Sequence, residues 1–428
     1  MHEQQKSFRQ RLQEQTSQLA QLPEPDAAAQ SHSEKLIGYI RREIETAGGR
    51  ISFARYMELA LLAPGLGYYS AGSQKLGEAG DFVTAPEISP LFSRCIARQC
   101  AEVLSALKRQ GKQQGEQQGD ESPALLEFGA GSGVMAADIL LELERLQSLP
   151  DHYAILEPSA ELQQRQRDTL AQRAPHLLEK VRWLNALPAA GFRGVILANE
   201  VIDAMPVHRV LHTDPVADET HTADQSLPHW QELYVSWREG RFQWQTDALS
   251  DERLQRTLDN LSLPVPYSTE INLAMEGWIA ALGGVLEQGL VLLIDYGFPR
   301  HEYYHAQRNQ GTLMCHYRHR AHDDPFVYPG LQDITAHVDF TALAEAAVQA
   351  GLDVSGYCTQ AYFLLSNQLQ DMIAEVDPED AVYPDIARQV RTLTSPEQMG
   401  ELFKVMALTR GLSMPLSGFG FRDQRNKL

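Results

Sequence analysis

Residues 124–133, ALLEFGAGSG, restrict this chain more than any other stretch: an apolar run ends in an acid and then in three glycines at every second position. An apolar run without polar alternation reads as a strand covered on both faces, the habit of a parallel sheet. Gly129, Gly131 and Gly133 permit a tight turn from strand to helix and let a ligand lie against bare backbone. VMAADILLELERL then reads as a helix. HYAILE, KVRWLNAL and GVILANEV follow as a second, third and fourth strand, with the helix SAELQQRQRDTLAQRA between the second and third. That alternation implies an α/β protein with a mostly parallel sheet. LVLLIDYG supplies a fifth strand, DVSGYCTQAYFLLS a sixth and LFKVMALTR a last, antiparallel one.

Around this core the pattern changes character. Residues 1–30 are rich in Gln, Glu and Ala and read as a mobile tail. From Ser33 the spacing of Leu36, Ile37, Ile40 and Ile44 predicts a helix, and Ser52 can cap the next one, FARYMELALLA. A Gly-rich loop follows, so 31–110 forms an N-terminal helical region, and the polar stretch 111–123 reads as a linker. The core then runs over 124–428 with insertions near 211–262, 299–335 and 366–400. WQELYVSWREGRFQWQ alternates with period two around Glu239-Gly240 and predicts a β-hairpin. INLAMEGWIAALGGVLEQG predicts a helix, and 366–400 a helical piece.

Composition narrows the function. The 428 residues carry a net charge of −19, which favours solubility and argues against general nucleic-acid binding. No apolar run approaches the ~20 residues of a membrane span, so no membrane partner is expected. Cys95, Cys100, Cys315 and Cys358 have no CxxC spacing, which fits a reducing compartment and no structural metal. The first residues lack the apolar centre of a secretory signal and make a poor transit peptide, so a cytoplasmic location is expected.

The site is read from strand ends. Glu127, ahead of the glycines, suits a cationic ligand and would be poor beside a pyrophosphate. S-adenosylmethionine is such a ligand, with an ammonium group and a sulfonium. Gly129, Ala130, Gly131 and Gly133 would receive it. Glu157, 24 residues past Gly133, falls where a dinucleotide site places the acid for ribose hydroxyls, with Pro158 beside it. Asn185 and Ala186, after the third strand, would meet the adenine edge. Asn199 and Glu200 end the fourth strand and Asp203 follows on the same turn. Asp203 either faces an acceptor or caps a following helix. Asp81, Phe82, Thr84 and Glu87 lie on the upstream Gly-rich loop, which could fold over the donor. Asp295 and Tyr296 close the fifth strand. His316, Arg318, His319, Arg320 and His322 match no zinc spacing and read as a solvated or salt-bridged face.

LLEFGAGSG, ILEPS, ILANEVIDAMPV and LLIDYGFP resemble the MidA family of methyltransferases, as do GYYS, GDFVTAPEISPLF, GTLMCHYRHR and PGLQDITAHVDF. The pieces run in order from about residue 33 to 411. The resemblance implies a class I methyltransferase fold: a Rossmann-like parallel sheet with an antiparallel last strand, a helical N-terminal region, and β-hairpin and helical insertions. It implies S-adenosylmethionine as methyl donor and kinship with a mitochondrial arginine methyltransferase that modifies a complex I subunit during assembly. A protein carrying an acceptor arginine is then the expected partner, and a homodimer stays open. A guanidinium is always charged, so Glu200 and Asp203 are the candidate carboxylates to orient it. His337, in DITAHVDF, is a candidate proton acceptor or a structural histidine. Two alternatives stand beside this reading: a non-catalytic, donor-binding assembly factor, and an NAD-dependent oxidoreductase, which the GxGxG spacing opposes.

Overall fold

The computed structural model describes residues 22–70, 84–113, 123–213 and 229–428. The N-terminal part of the expected tail, loop residues 71–83 with Asp81 and Phe82, most of the polar linker, and the polar loop 214–228 lie outside those residues. The described residues group into two compact units, each drawn from separated stretches. One takes 22–70, 204–213, 229–274 and 304–337; the other takes 84–113, 123–203, 275–303 and 338–428.

The second unit holds the sheet that the sequence predicts. Its strands are β1 (Ala124–Phe128), β2 (Tyr153–Leu156), β3 (Val181–Leu184), β4 (Phe192–Asn199), β5 (Leu286–Phe298), β6 (Asp353–Thr359) and β7 (Phe403–Arg410). Their order across the sheet is β3-β2-β1-β4-β5-β7-β6. The first five neighbours pair in parallel. β7 slots antiparallel between β5 and β6. Val195–Ala198 and Leu290–Ile294 are buried, as the unbroken apolar runs require. Leu125, Tyr153, Val195, Leu292 and Val405 share one core with Ile139 and Leu143 of α2 (Val134–Arg145) and with Phe92 and Ile96 of α1 (Pro90–Gln113). The chain leaves β1 in one direction through β2 and β3, then returns to β4 on the other side. Ligands of open α/β sheets bind outside the carboxyl ends of strands at such a reversal.

The first unit has its own core, in which Leu36, Ile40, Ile44, Phe53 and Tyr56 pack with Val235 and Phe242. The helix Ala27–Thr46 begins six residues before Ser33 because the Asp26 carboxylate accepts from the Ala29 N–H at 2.9 Å. Ser52 caps Phe53–Leu62 as expected, accepting from the Arg55 N–H at 3.2 Å. The hairpin of His229–Arg238 and Arg241–Asp247 turns on Glu239 and Gly240, both with positive φ, the backbone of the two-residue turns that match strand twist. Arg318 and His319 do the same between Met314–Tyr317 and Arg320–His322. The His- and Arg-rich cluster is therefore a short hairpin.

Further readings change. His208–Thr213 and Tyr267–Ile271 are strands of an antiparallel five-stranded sheet, although the expected helix began at Ile271; it starts at Leu273 and stops at Val285, where β5 begins. The sixth strand ends at Thr359, whose hydroxyl accepts from the Tyr362 N–H, so QAYFLLS is helical.

Candidate functional site

The turn after β1 is built as its glycines require. Gly129, Gly131 and Gly133 have φ of +61°, +54° and +84°, a region that residues with a Cβ rarely enter. At Gly133 a Cβ would also lie 3.0 Å from the Gln166 Cα, so helix α3 (Ala160–Arg173) presses against the turn. Ala130 is buried, and its carbonyl accepts from the Gly133 N–H at 2.8 Å. The Ser132 hydroxyl donates to the Glu87 carboxylate. Glu87 belongs to the short helix Ala85–Ile88, entered at Thr84, whose side chain makes no capping bond. The end of the upstream loop thus touches the glycine turn through Glu87. Asp81 lies outside the described residues.

Glu127 is fully buried. The Tyr153 hydroxyl donates to its Oε2 at 2.8 Å, while Oε1 has no partner among the described residues. Burial pushes its carboxyl up to about 8, with the tyrosine bond pulling the other way. Glu157 is buried at the end of β2. Its Oε1 accepts from the Ser159 N–H at 2.9 Å and its Oε2 from Gln166 Nε2 at 3.3 Å. Burial raises its pKa and these two bonds oppose the rise. Each carboxylate oxygen keeps lone-pair capacity for a further donor.

Gln166 is the residue that sequence reading passed over. It is 0% exposed. Its Nε2 also donates to the Gly131 carbonyl at 3.1 Å, and its Oε1 accepts from Trp183 Nε1 at 2.9 Å. One side chain thereby ties the glycine turn, the β2 carboxylate and β3 together. The available signal was a polar residue on the core-facing side of α3, where only Gln166 and Leu170 are buried. Pro158, Asn185 and Ala186 are exposed. Gln163 Nε2 bridges the Asn185 side chain at 3.1 Å and the Glu157 carbonyl at 2.7 Å, which fixes the third strand end beside the second.

The ends of β4 and β5 bring carboxylates together. Glu200 has a φ of +52° and its N–H donates to the Ile294 carbonyl at 2.9 Å. Asn199 Nδ2 donates to Glu200 Oε1 at 3.0 Å, and Asn199 Oδ1 is buried without a partner among the described residues. No helix follows Asp203, which removes the capping alternative. Asp295 is buried and accepts from the N–H groups of Ile202, Asp203 and Tyr296 at 2.9, 3.2 and 2.9 Å. Burial, then the charges of Asp203 and Glu200, hold its carboxyl well above the usual range. His337 falls in the first unit, where its N–H donates to Thr312 Oγ1 at 3.1 Å.

A sheet reversing between β1 and β4, with β7 antiparallel between β5 and β6, an acid and glycine turn at one strand end and a second acid at the next, is that of a class I methyltransferase. Buried oxygens of Glu127 and Asn199 that lack partners among the described residues fit a donor ligand with an ammonium group and N–H or O–H donors. The chain belongs to the S-adenosyl-L-methionine-dependent methyltransferase family whose model matches residues 95–358. It is 45% identical to a COG1565 superfamily member from Burkholderia thailandensis whose crystal structure holds S-adenosyl-homocysteine, with a TM-score of 0.87 over 95% of this chain and 100% of that one. It is 29% identical to a Drosophila melanogaster mitochondrial protein named as a protein arginine methyltransferase NDUFAF7 homolog, over 91% of this chain and 88% of the relative. The NDUFAF7 of Danio rerio, also named mitochondrial, is 26% identical over 87% and 89%. The expected cytoplasmic location does not stand against relatives with mitochondrial names: unpaired cysteines, here all buried, do not distinguish one reducing compartment from another. The chain is an S-adenosylmethionine-dependent methyltransferase.

Proposed function

We propose that this methyltransferase modifies an arginine side chain of a protein partner, with Glu200 and Asp203 orienting the guanidinium. The observation that carries the reading is the carboxylate group at the ends of β4 and β5, close enough for Glu200 and Asp203 to raise the pKa of Asp295. A planar, permanently charged acceptor is held well by carboxylates in bidentate pairs. The relatives named as arginine methyltransferases support the same acceptor.

On the donor side, Glu127 would face the ammonium group, the Gly129–Gly133 turn the amino-acid end, Glu157 the ribose hydroxyls, and Pro158, Asn185 and Ala186 the adenine. Asn199 and Thr84 would border the pocket. When bound, S-adenosylmethionine supplies a methyl group on a positively charged sulfur. The carboxylates of Glu200 and Asp203 fix which guanidinium nitrogen points at it, and alignment of the reacting atoms does most of the work. As the nitrogen–carbon bond forms and the sulfur–carbon bond breaks, the proton on nitrogen passes to a carboxylate, Glu200, and then to water.

The test is mass spectrometry of arginine-containing peptides and candidate partner proteins incubated with the enzyme and S-adenosylmethionine. The expected product carries a methyl mass on arginine. Glu200→Gln should abolish it while S-adenosylhomocysteine still binds. Methyl groups on another residue type would overturn the arginine assignment. Donor binding without transfer to any protein would favour the assembly-factor alternative.

A further inference from the structure

A cavity of about 410 Å³ opens in the unit that holds the parallel sheet, at the ends of β5 and β6 and the start of β7. Lys404 lies on its wall. In the ladder it stands between Asp295 of β5 and Thr359 of β6, one strand beyond the carboxylate cluster. The residue is 7% exposed, and its ammonium donates to the carbonyls of Glu401 and Leu402. An ammonium has three donors, so these carbonyls use two. Burying such a group costs several kcal/mol unless it is paired, and the Phe298 ring 5.4 Å from the ammonium and the charges of Glu302 and Glu401 offset part of that cost.

A second group on the wall points the same way. Tyr357 is 0% exposed, and its hydroxyl has no partner among the described residues. Exposed Arg422, also on the lining, donates to the Tyr362 hydroxyl at 3.0 Å and lies over that ring at 5.3 Å, contacts that occupy only part of its five N–H donors. Lys427 pairs with Glu302 at 3.4 Å. In a chain of net charge −19, this concave spot gathers three cations and an unused hydroxyl beside two carboxylates, Glu302 and Glu401.

We propose that the cavity is a binding site for a small oxyanion, a carboxylate or phosphate group held by Lys404, the Tyr357 hydroxyl and Arg422. The oxyanion comes either from a free metabolite or from an acidic side chain of a protein substrate. Burial lowers the Lys404 pKa to about 8, Glu302 and Glu401 oppose that shift, and Lys427 adds to it. Lysine is charged below its pKa, so affinity should be full near neutrality and fall as the pH rises through about 8.

The experiment is isothermal titration of the full chain with inorganic phosphate, succinate and acetyl-Gly-Glu-Gly-amide, repeated on Lys404→Met and Tyr357→Phe. Saturable binding is expected for at least one probe. Lys404→Met should weaken it about tenfold or more, the effect of losing a hydrogen bond to a charged group, and should remove its pH dependence. Tyr357→Phe should weaken it less. Unchanged S-adenosylhomocysteine binding in both variants shows that they fold. Saturation by the peptide alone assigns the site to a protein side chain, and saturation by phosphate or succinate to a free anion. If no probe saturates the wild-type chain, or Lys404→Met binds as tightly as wild type, the proposal is wrong.

Discussion

Binding of S-adenosylhomocysteine at neutral pH should release close to one proton, and Glu127 should be its source. The Glu127 carboxyl is fully buried and pushed up to about 8. At pH 7 it is then about 90% protonated. A ligand ammonium against its unpaired oxygen favours the charged form, and an opposite charge at contact distance lowers a carboxyl pKa by about 1–3 units. A drop of about two units leaves it about 90% ionised at pH 7, a net release of about 0.8 proton. The assay is titration calorimetry in buffers of different ionisation enthalpy, where the slope of apparent enthalpy against buffer enthalpy counts protons. Glu127→Gln should bind more weakly with no release, and wild type should show none well above pH 8, where the group is already ionised. Between the unfolded value near 4.5 and about 8 the native chain binds the extra proton, so ligand-free stability should fall as pH rises, by up to about 5 kcal/mol. Glu127→Gln should flatten that slope. Equal proton release by wild type and Glu127→Gln, or none from wild type, would refute the argument.

Gly133→Ala forces a Cβ at φ +84° against the Gln166 backbone, and the left-handed strain with the overpacking should cost about 2–5 kcal/mol. Urea unfolding would read this, and donor affinity should fall as well. Gln166→Ala strips donors from Glu157 and the Gly131 carbonyl and orphans Trp183 Nε1. Each lost bond is worth about 1 kcal/mol, so stability should drop by about 3 kcal/mol. S-adenosylhomocysteine affinity should then fall more steeply at acid pH than in wild type, because Glu157 loses a bond that favours its charged form. A Gln166→Ala variant that keeps wild-type affinity at every pH would show that the side chain only fills space.

The glycine turn and the two buried strand-end acids were legible because their physics is local. Glycines that must take positive φ, and acids at the ends of apolar runs, are visible in a few consecutive residues. Gln166 was hidden because its role needs three partners, from Gly131 to Trp183, that meet only once β1, β2 and β3 lie side by side. The strands His208–Thr213 and Tyr267–Ile271 were hidden for a related reason. They bury His212 and Glu270, so neither shows the apolar alternation that marks a strand. QAYFLLS read as strand because an apolar run of that length does not declare its period, and only the Thr359 cap settles it. The division into two units depends on pairings such as Arg50 with Ser236, which no window of sequence contains.

The place of β7 has a consequence for how the chain is made. Phe403–Arg410 separates β5 from β6 and supplies hydrogen bonds to both, yet it is synthesised after all the others. Until it leaves the ribosome, β5 presents an open edge carrying Leu290–Ile294, an apolar template for the wrong partner. A message truncated before residue 403 would therefore yield a nascent chain that has the donor turn and both its acids but sticks to its neighbours, and quality control would meet it as an aggregate rather than as a weak enzyme.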